Sequence, residues 1–310
     1  MPYPIEDKLV IAVASSAIFD LGEADTVFTT QGEDSYRKYT REKETSPFKK
    51  GPAFTFIQNL LSVNNPQTQF EPIEVILLSK NDADTGNRVF NSLQHYKLPI
   101  TRAAFTCGRK PFTYLSSFKA SLFLSANKED VIDAVREGWP AGIIMASGPV
   151  PENTEPGKEE LKLAFDFDGI IADDSSEQVY QKEGLDGFQR HEKALSNTPL
   201  SPGPLMRLLE KISGIQQKEF EKQKTEPHYK PKIRTAIITS RMAPAHQRVI
   251  HTLRHWGIHI DQAFFMGGIS KSNLLSELQP HIFFDDQLDN LSDINASMAM
   301  VHVPYGVINR

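Results

Sequence analysis

The segment Leu163-Ala-Phe-Asp166-Phe-Asp168-Gly-Ile-Ile-Ala-Asp173 sets two aspartates two residues apart at the close of an apolar run, with glycine directly after. Side chains alternate along a strand, so residues i and i+2 share a side. A strand that stops at Asp166 puts one carboxylate at its carboxyl end and leaves the other in the loop just beyond. In an open parallel sheet, that edge is where ligands bind. Two acids facing each other there repel, and a bound divalent cation or a shared proton is the usual compensation. One ionised and one protonatable carboxylate beside a metal are the equipment for phosphoryl transfer through an aspartyl-phosphate.

Further groups recur downstream. Thr239 and Ser240 follow Ile237-Ile238, where a hydroxyl and backbone N–H groups can meet phosphoryl oxygens. Asp285 and Asp286 follow Ile282-Phe-Phe and, with Asp166 and Asp168, complete an oxygen-rich site suited to Mg²⁺. Asp166 reads as the nucleophile. Asp168 reads as the group that protonates the leaving oxygen and later deprotonates the attacking water. Lys271 offsets the phosphate charge and holds Asp166 ionised. Singly, each of these is ordinary: Asp-Gly commonly makes a turn, a lysine before a helix is commonly solvated, and paired aspartates can cap a helix starting near Leu288. Their order, with three of them closing apolar strands, is what points to catalysis.

Strands alternating with helical patterns must position these groups. Ile237-Ile238 ends at Thr239, Ala245 to Trp256 has helical spacing, and Gly257 closes that helix. A short strand within Ile258 to Phe265 follows, then a helix from Ser272 to Leu278 and a strand from His281 to Phe284. Such alternation predicts an α/β fold with a mostly parallel sheet and right-handed crossovers. The pattern occurs twice. The segment from Glu74 aligns without gaps on the segment from Arg234 at an offset of 160 residues, over about fifty positions. Arg88-Val89 falls on Arg248-Val249, Phe105 on Phe265, and Leu122-Phe-Leu on Ile282-Phe-Phe. Upstream, Gly51-Pro52 pairs with Gly203-Pro204, and Leu9 to Asp20 with Leu161 or Lys162 to Asp173. A long internal repeat implies two copies of one unit. The carboxylates occur in only one: Asp166 falls on Val13, Asp168 on Ser15, Asp285-Asp286 on Ser125-Ala126, and Lys271 on Pro111. The expected organisation is a degenerate domain over 1–147, a linker rich in proline, glycine and acid over 148–160, and a catalytic domain over 161–310.

The bulk properties narrow the classes. A net charge of −5 argues against a general binder of nucleic-acid polymers. The single cysteine, Cys107, rules out an internal disulfide and a cysteine-based zinc site, and a reducing cytoplasm is the natural reading. The opening residues do not read as a signal peptide, and there is no apolar run of membrane-spanning length, so no membrane partner is expected.

FDFDG, IITSR, Lys271 and FFDD, in this order, resemble the four motifs of the haloacid dehalogenase superfamily of phosphatases. The longer strings DDSSEQVYQKEGLDGFQRHE, TSRMAPAHQRVIHTLRHWG and DQAFFMGGISKSNLLSELQPHIFFDDQ, with IAVASSAIFD near the start, are similar to the cytosolic 5'-nucleotidase I family. The similarity covers almost the whole chain. It implies a haloacid dehalogenase-like (Rossmannoid) parallel sheet with helices on both faces. It also implies Mg²⁺-dependent hydrolysis of nucleoside 5'-monophosphates, with AMP and pyrimidine deoxynucleotides as substrates, and it gives Asp166, Asp168, Thr239 and Lys271 the roles read above. Either of Asp285 and Asp286 could hold the metal. Ile170 departs modestly from the superfamily pattern. The resemblance implies that the insertion between the first two motifs, about 174–232, forms a small helical cap, with helical stretches around Ser176–Glu183 and Pro204–Ile212. The run from Gln216 to Glu226 reads as a solvated helix face or loop. Tyr180, Phe188 and His191 are candidates to contact base or ribose, and Arg241 to pair with phosphate. His246 could also face the substrate, whereas His255 has a counterpart in His95 and reads as structural. Rival readings are a phosphatase or nucleoside phosphotransferase acting on another small phosphate ester, and a non-catalytic nucleotide sensor. A homo-oligomer is compatible with all of them.

Overall fold

A computed structural model describes residues 3–145, 160–292 and 298–309, so most of the expected linker lies outside the described residues. The chain divides into two compact units, Met1–Pro156 and Gly157–Arg310. In the first, β1 (Leu9–Val13), β4 (Ile73–Ser79), β5 (Ala103–Phe105), β6 (Leu122–Ser125) and β7 (Ala141–Met145) are parallel in the order β7-β6-β1-β4-β5. Two short strands, β2 (Phe19–Asp20) and β3 (Lys49–Lys50), pair antiparallel beside it. In the second unit, β8 (Leu161–Phe165), β9 (Ile233–Thr239), β10 (Gln262–Phe265), β11 (Ile282–Asp285) and β12 (Ala299–His302) are parallel in the order β12-β11-β8-β9-β10. Strands β1, β4 and β6, like β11 and β12, are buried along their whole length, as apolar runs covered on both faces must be.

Helices supply the cover. The first unit has α1 (Ser15–Ile18), α2 (Gly22–Glu42), α3 (Phe54–Leu61), α4 (Gly86–His95) and α5 (Lys128–Arg136). The second has α6 (Ser175–Ala194), α7 (Met206–Thr225), α8 (His246–His255), α9 (Lys271–Leu278) and α10 (Asp289–Ser292). Among the described residues no helix is long and apolar enough to cross a membrane.

The insertion after Asp174 is more helical than its sequence suggests. Helix α6 runs on to Ala194, changing direction at Gly184, whose φ of 67° suits a residue without Cβ. Helix α7 runs through the charged stretch that reads as a solvated face or loop, because that stretch has a buried side. Gln216 and Glu219 continue the face begun by Leu208, Leu209 and Ile212. Glu219 is satisfied there by Tyr229 Oη at 2.8 Å and the Lys232 backbone N–H at 2.9 Å. Gln216 donates to Asp261 at 2.7 Å.

The registers correct the alignment at the first strand by one residue. Leu9 pairs with Ile73, and Leu161 with Ile233, so the alignment that sets Ile73 on Ile233 sets Leu9 on Leu161 through these pairings. In that alignment Ala14, not Val13, falls on Asp166, and each donates a backbone bond of 2.8 Å to the neighbouring strand, at Leu124 and Phe284 respectively. Further on, Gly51 donates to Ile18 at 2.7 Å and Gly203 to Ile171 at 2.8 Å. The second loop thus holds one more residue than the first. Both glycines are required by close backbone approach. A Cβ on Gly203 would lie 2.3 Å from the Ala172 carbonyl oxygen, and one on Gly51 would lie 2.7 Å from the Phe19 backbone. Gly203→Ala is expected to destabilise the chain by about 1–3 kcal/mol, read as a lowered urea midpoint at unchanged m-value.

Candidate active site

The carboxyl ends of β8, β9 and β11 meet in the middle of the second sheet. β8 leads to β9 and β10 on one side, and the chain returns to β11 and β12 on the other, so the β8–β11 crevice is the topological switch point. Beneath it, Phe165 and Phe284 stack with ring centroids 5.0 Å apart and join the two strands. Asp166 is the first residue past β8, Asp285 the last of β11, and Asp286 follows it. Lys271 opens α9 behind Ser270, whose hydroxyl caps the helix. All four are buried.

Lys271 Nζ lies 3.0 Å from Asp166 Oδ1 and 2.7 Å from Asp285 Oδ2. Burial alone would lower the pKa of this ammonium, but Asp166 and Asp285 more than compensate and raise it. Asp285 is fully engaged: besides Lys271, it accepts from the Gln287 backbone N–H at 2.8 Å and from Asn290 Nδ2 at 3.1 Å. Asp286 is not, since its Oδ1 is buried with no hydrogen-bond partner. Asp166, Asp285 and Asp286 each offer an oxygen within 4.8 Å of the others. Burial first, and then the neighbouring carboxylates, push Asp166 up to about 7 and Asp286 up to about 9. An orphaned carboxylate oxygen beside two further carboxylates fits a hard divalent cation such as Mg²⁺. Gly169 makes room for this arrangement: its φ is 73°, and a Cβ there would lie 2.4 Å from Asp286 Oδ2.

Asp168 stands apart from that cluster. Arg241 grips it with two parallel bonds, Nε to Oδ2 and Nη2 to Oδ1, each 2.7 Å. Arg241 is itself buried, and its other contacts are Glu192, Ser176 Oγ at 2.8 Å and the rings of Phe167 and Phe188. Glu192, 0% exposed, also takes Arg248 Nη1 at 2.8 Å and the Ser176 hydroxyl at 2.9 Å. Arg241 thus faces carboxylates, and Phe188 packs on its guanidinium. Tyr180 is exposed and meets Phe188 edge-on at 6.2 Å, and His191 is half-buried on α6. Thr239 is buried at the end of β9 and accepts from the Arg241 backbone N–H at 3.2 Å, whereas Ser240 beside it is exposed. His246 packs edge-on against Phe265.

Sequence reasoning missed Glu192, Ser176 and Asn290. The one available signal for Glu192 was its spacing of four from Phe188, which puts both on one helix face. Nothing local marked Ser176 or Asn290.

The family model described as 5'-nucleotidase matches residues 1–310. Human cytosolic 5'-nucleotidase 1B is 34% identical over 295 residues, covering 93% of this chain and 47% of the relative, so the chain spans about half the length of that protein. No solved structure matches the chain. The whole-length family match and the identity to that human protein place the chain in the cytosolic 5'-nucleotidase I family.

Proposed function

We propose that the chain is a Mg²⁺-dependent phosphoric monoester hydrolase that converts nucleoside 5'-monophosphates, AMP and dCMP-like substrates among them, to nucleoside and phosphate. The observation that carries this reading is the buried trio Asp166, Asp285 and Asp286 around Lys271, with one Asp286 oxygen left unpartnered. Asp166 attacks phosphorus and the bond to the nucleoside 5'-oxygen breaks, while Asp168 gives that oxygen its proton. Asp168 then takes a proton from water, which attacks the phosphoryl group on Asp166 and releases inorganic phosphate. Lys271 and the Thr239-Ser240 turn balance charge on the phosphoryl oxygens. Arg241 bonds both oxygens of Asp168, so it must release one of them when Asp168 acts as acid. A bound Mg²⁺ supplies positive charge against the phosphoryl oxygens and the acids. Asp286 would hold it directly, and Asp285 would position Lys271.

We read the two units as copies of one haloacid dehalogenase-like fold, with domains over 1–147 and 161–310 and with α6 as the cap element. Support comes from the shared strand order, the shared registers and the paired backbone bonds of Gly51 and Gly203.

Asp166→Asn should lower phosphate release from AMP by about 10³-fold or more; hydrolysis at the wild-type rate would sink the mechanism. Asp286→Asn should raise the Mg²⁺ concentration needed for half-maximal activity by about 10–100-fold, whereas Asp285→Asn should lower the rate at saturating Mg²⁺.

The pH dependence of stability follows from the two raised carboxyl groups. Between the ordinary carboxylate range and about 9, the folded metal-free chain retains protons that the unfolded chain has shed. Its melting temperature should therefore fall as pH rises from 6 to 9. Added Mg²⁺ should raise it more at pH 9 than at pH 6, because the cation competes with those protons. Differential scanning calorimetry with and without a chelator measures both effects.

A further inference from the structure

The first unit holds a cavity of about 610 Å³ at the carboxyl ends of its strands, a size usual for small-molecule sites. It lies at that sheet's own switch point, where the chain runs from β1 to β4 and β5 on one side and returns to β6 and β7 on the other. Its lining includes Ala14, Ser15, Ser79, Pro111 and Ser125. In the alignment these positions fall on Asp166, Phe167 beside Asp168, Thr239, Lys271 and Asp285 of the second unit. The place in the fold is the same, but no carboxylate and no ammonium stands at any of the five.

Their replacements are organised. Ser15 Oγ and Ser79 Oγ lie 2.8 Å apart, Ser79 Oγ donates to Asn81 Oδ1 at 2.5 Å, and Asn81 Nδ2 donates to Tyr36 Oη at 2.7 Å. These hydroxyl and amide groups can donate as well as accept. The basic side chains of the wall are paired, Arg37 with Glu33 at 2.8 Å and Asp82 at 3.0 Å, and Lys80 with Asp130 at 2.8 Å. Asp25 also lines the cavity, so acids outnumber bases and a phosphate dianion meets repulsion. Phe28 lines the cavity while 52% exposed, with Tyr36 edge-on to it at 5.7 Å. A large ring left in water beside a polar pocket offers a face on which a planar ligand stacks.

We infer that this cavity is a second ligand site and that it takes an uncharged, hydroxyl-bearing planar molecule, a nucleoside, in preference to a nucleotide. The cavity's chemistry selects the neutral planar class. The choice of a nucleoside within that class rests on the proposed activity of the second unit, whose product it would be.

Cys107 provides the test. It is the only cysteine of the chain, it is exposed, and it lines this cavity. Its rate of reaction with a thiol reagent in the full chain, with a chelator present so that no AMP is turned over, reports occupancy of the first unit. Saturating adenosine should slow the labelling by about threefold or more, and equal concentrations of AMP or inorganic phosphate should leave it unchanged. Phe28→Ala, at an exposed position, should raise the adenosine concentration needed for protection by about tenfold. Absence of protection by adenosine, equal protection by AMP, or protection unaltered in Phe28→Ala would overturn the inference. Phosphate release from AMP is measured separately with Mg²⁺, so a chain that is protected but does not hydrolyse AMP keeps this site and loses the catalytic reading.

Discussion

An ammonium group taken out of water is tolerated only when carboxylates replace its solvent, and Lys271 has two within 3.0 Å. The reverse demand is stronger. Three buried carboxylates, Asp166, Asp285 and Asp286, surround that one cation, so the cluster is short of positive charge whenever all three are ionised. Protons, or a hard cation, must make up the difference. The rest of the second unit serves this constraint. Parallel pairing brings the ends of β8 and β11 together, the stacked Phe165 and Phe284 fix them, and Asn290 and the Gln287 N–H fasten Asp285 so that Lys271 stays aimed inward.

A second buried charge system stands beside the first and is closed in a different way. Arg241 and Arg248 share Glu192, and Arg241 also holds Asp168, so two guanidinium groups meet two carboxylates. This network is balanced by the chain alone, and that of Lys271 is not. The difference leaves one network closed on itself and the other open to an added cation or proton.

The site's carboxylates and lysine were legible in the sequence because each follows directly on a strand or opens a helix, where an apolar run stops and a polar residue begins. The parallel sheets were legible for the same reason. Glu192 was not, because a glutamate on a polar helix gives no local sign that two arginines more than forty residues away will bury it. The pairing of Arg241 with Glu192 as well as Asp168 was hidden for the same reason. The burial of Gln216 and Glu219 depends likewise on distant groups, Asp261 and the Lys232 backbone, which no periodicity records. The one-residue misalignment of the first strand arose because the two loops differ in length just past it.

That extra residue has a consequence for how the two units could ever be exchanged. The loop bearing Asp166 and Asp168 reaches its next backbone anchor one residue later than the loop after Ala14 does, and it holds Gly169 at a positive φ pressed against Asp286. Placing aspartates at Ala14 and Ser16 would not rebuild the second loop in the first unit, because the chain there is too short to adopt its path. The carboxylates and the loop path that aims them are therefore separate properties of a chain, and substitution can supply the first without the second.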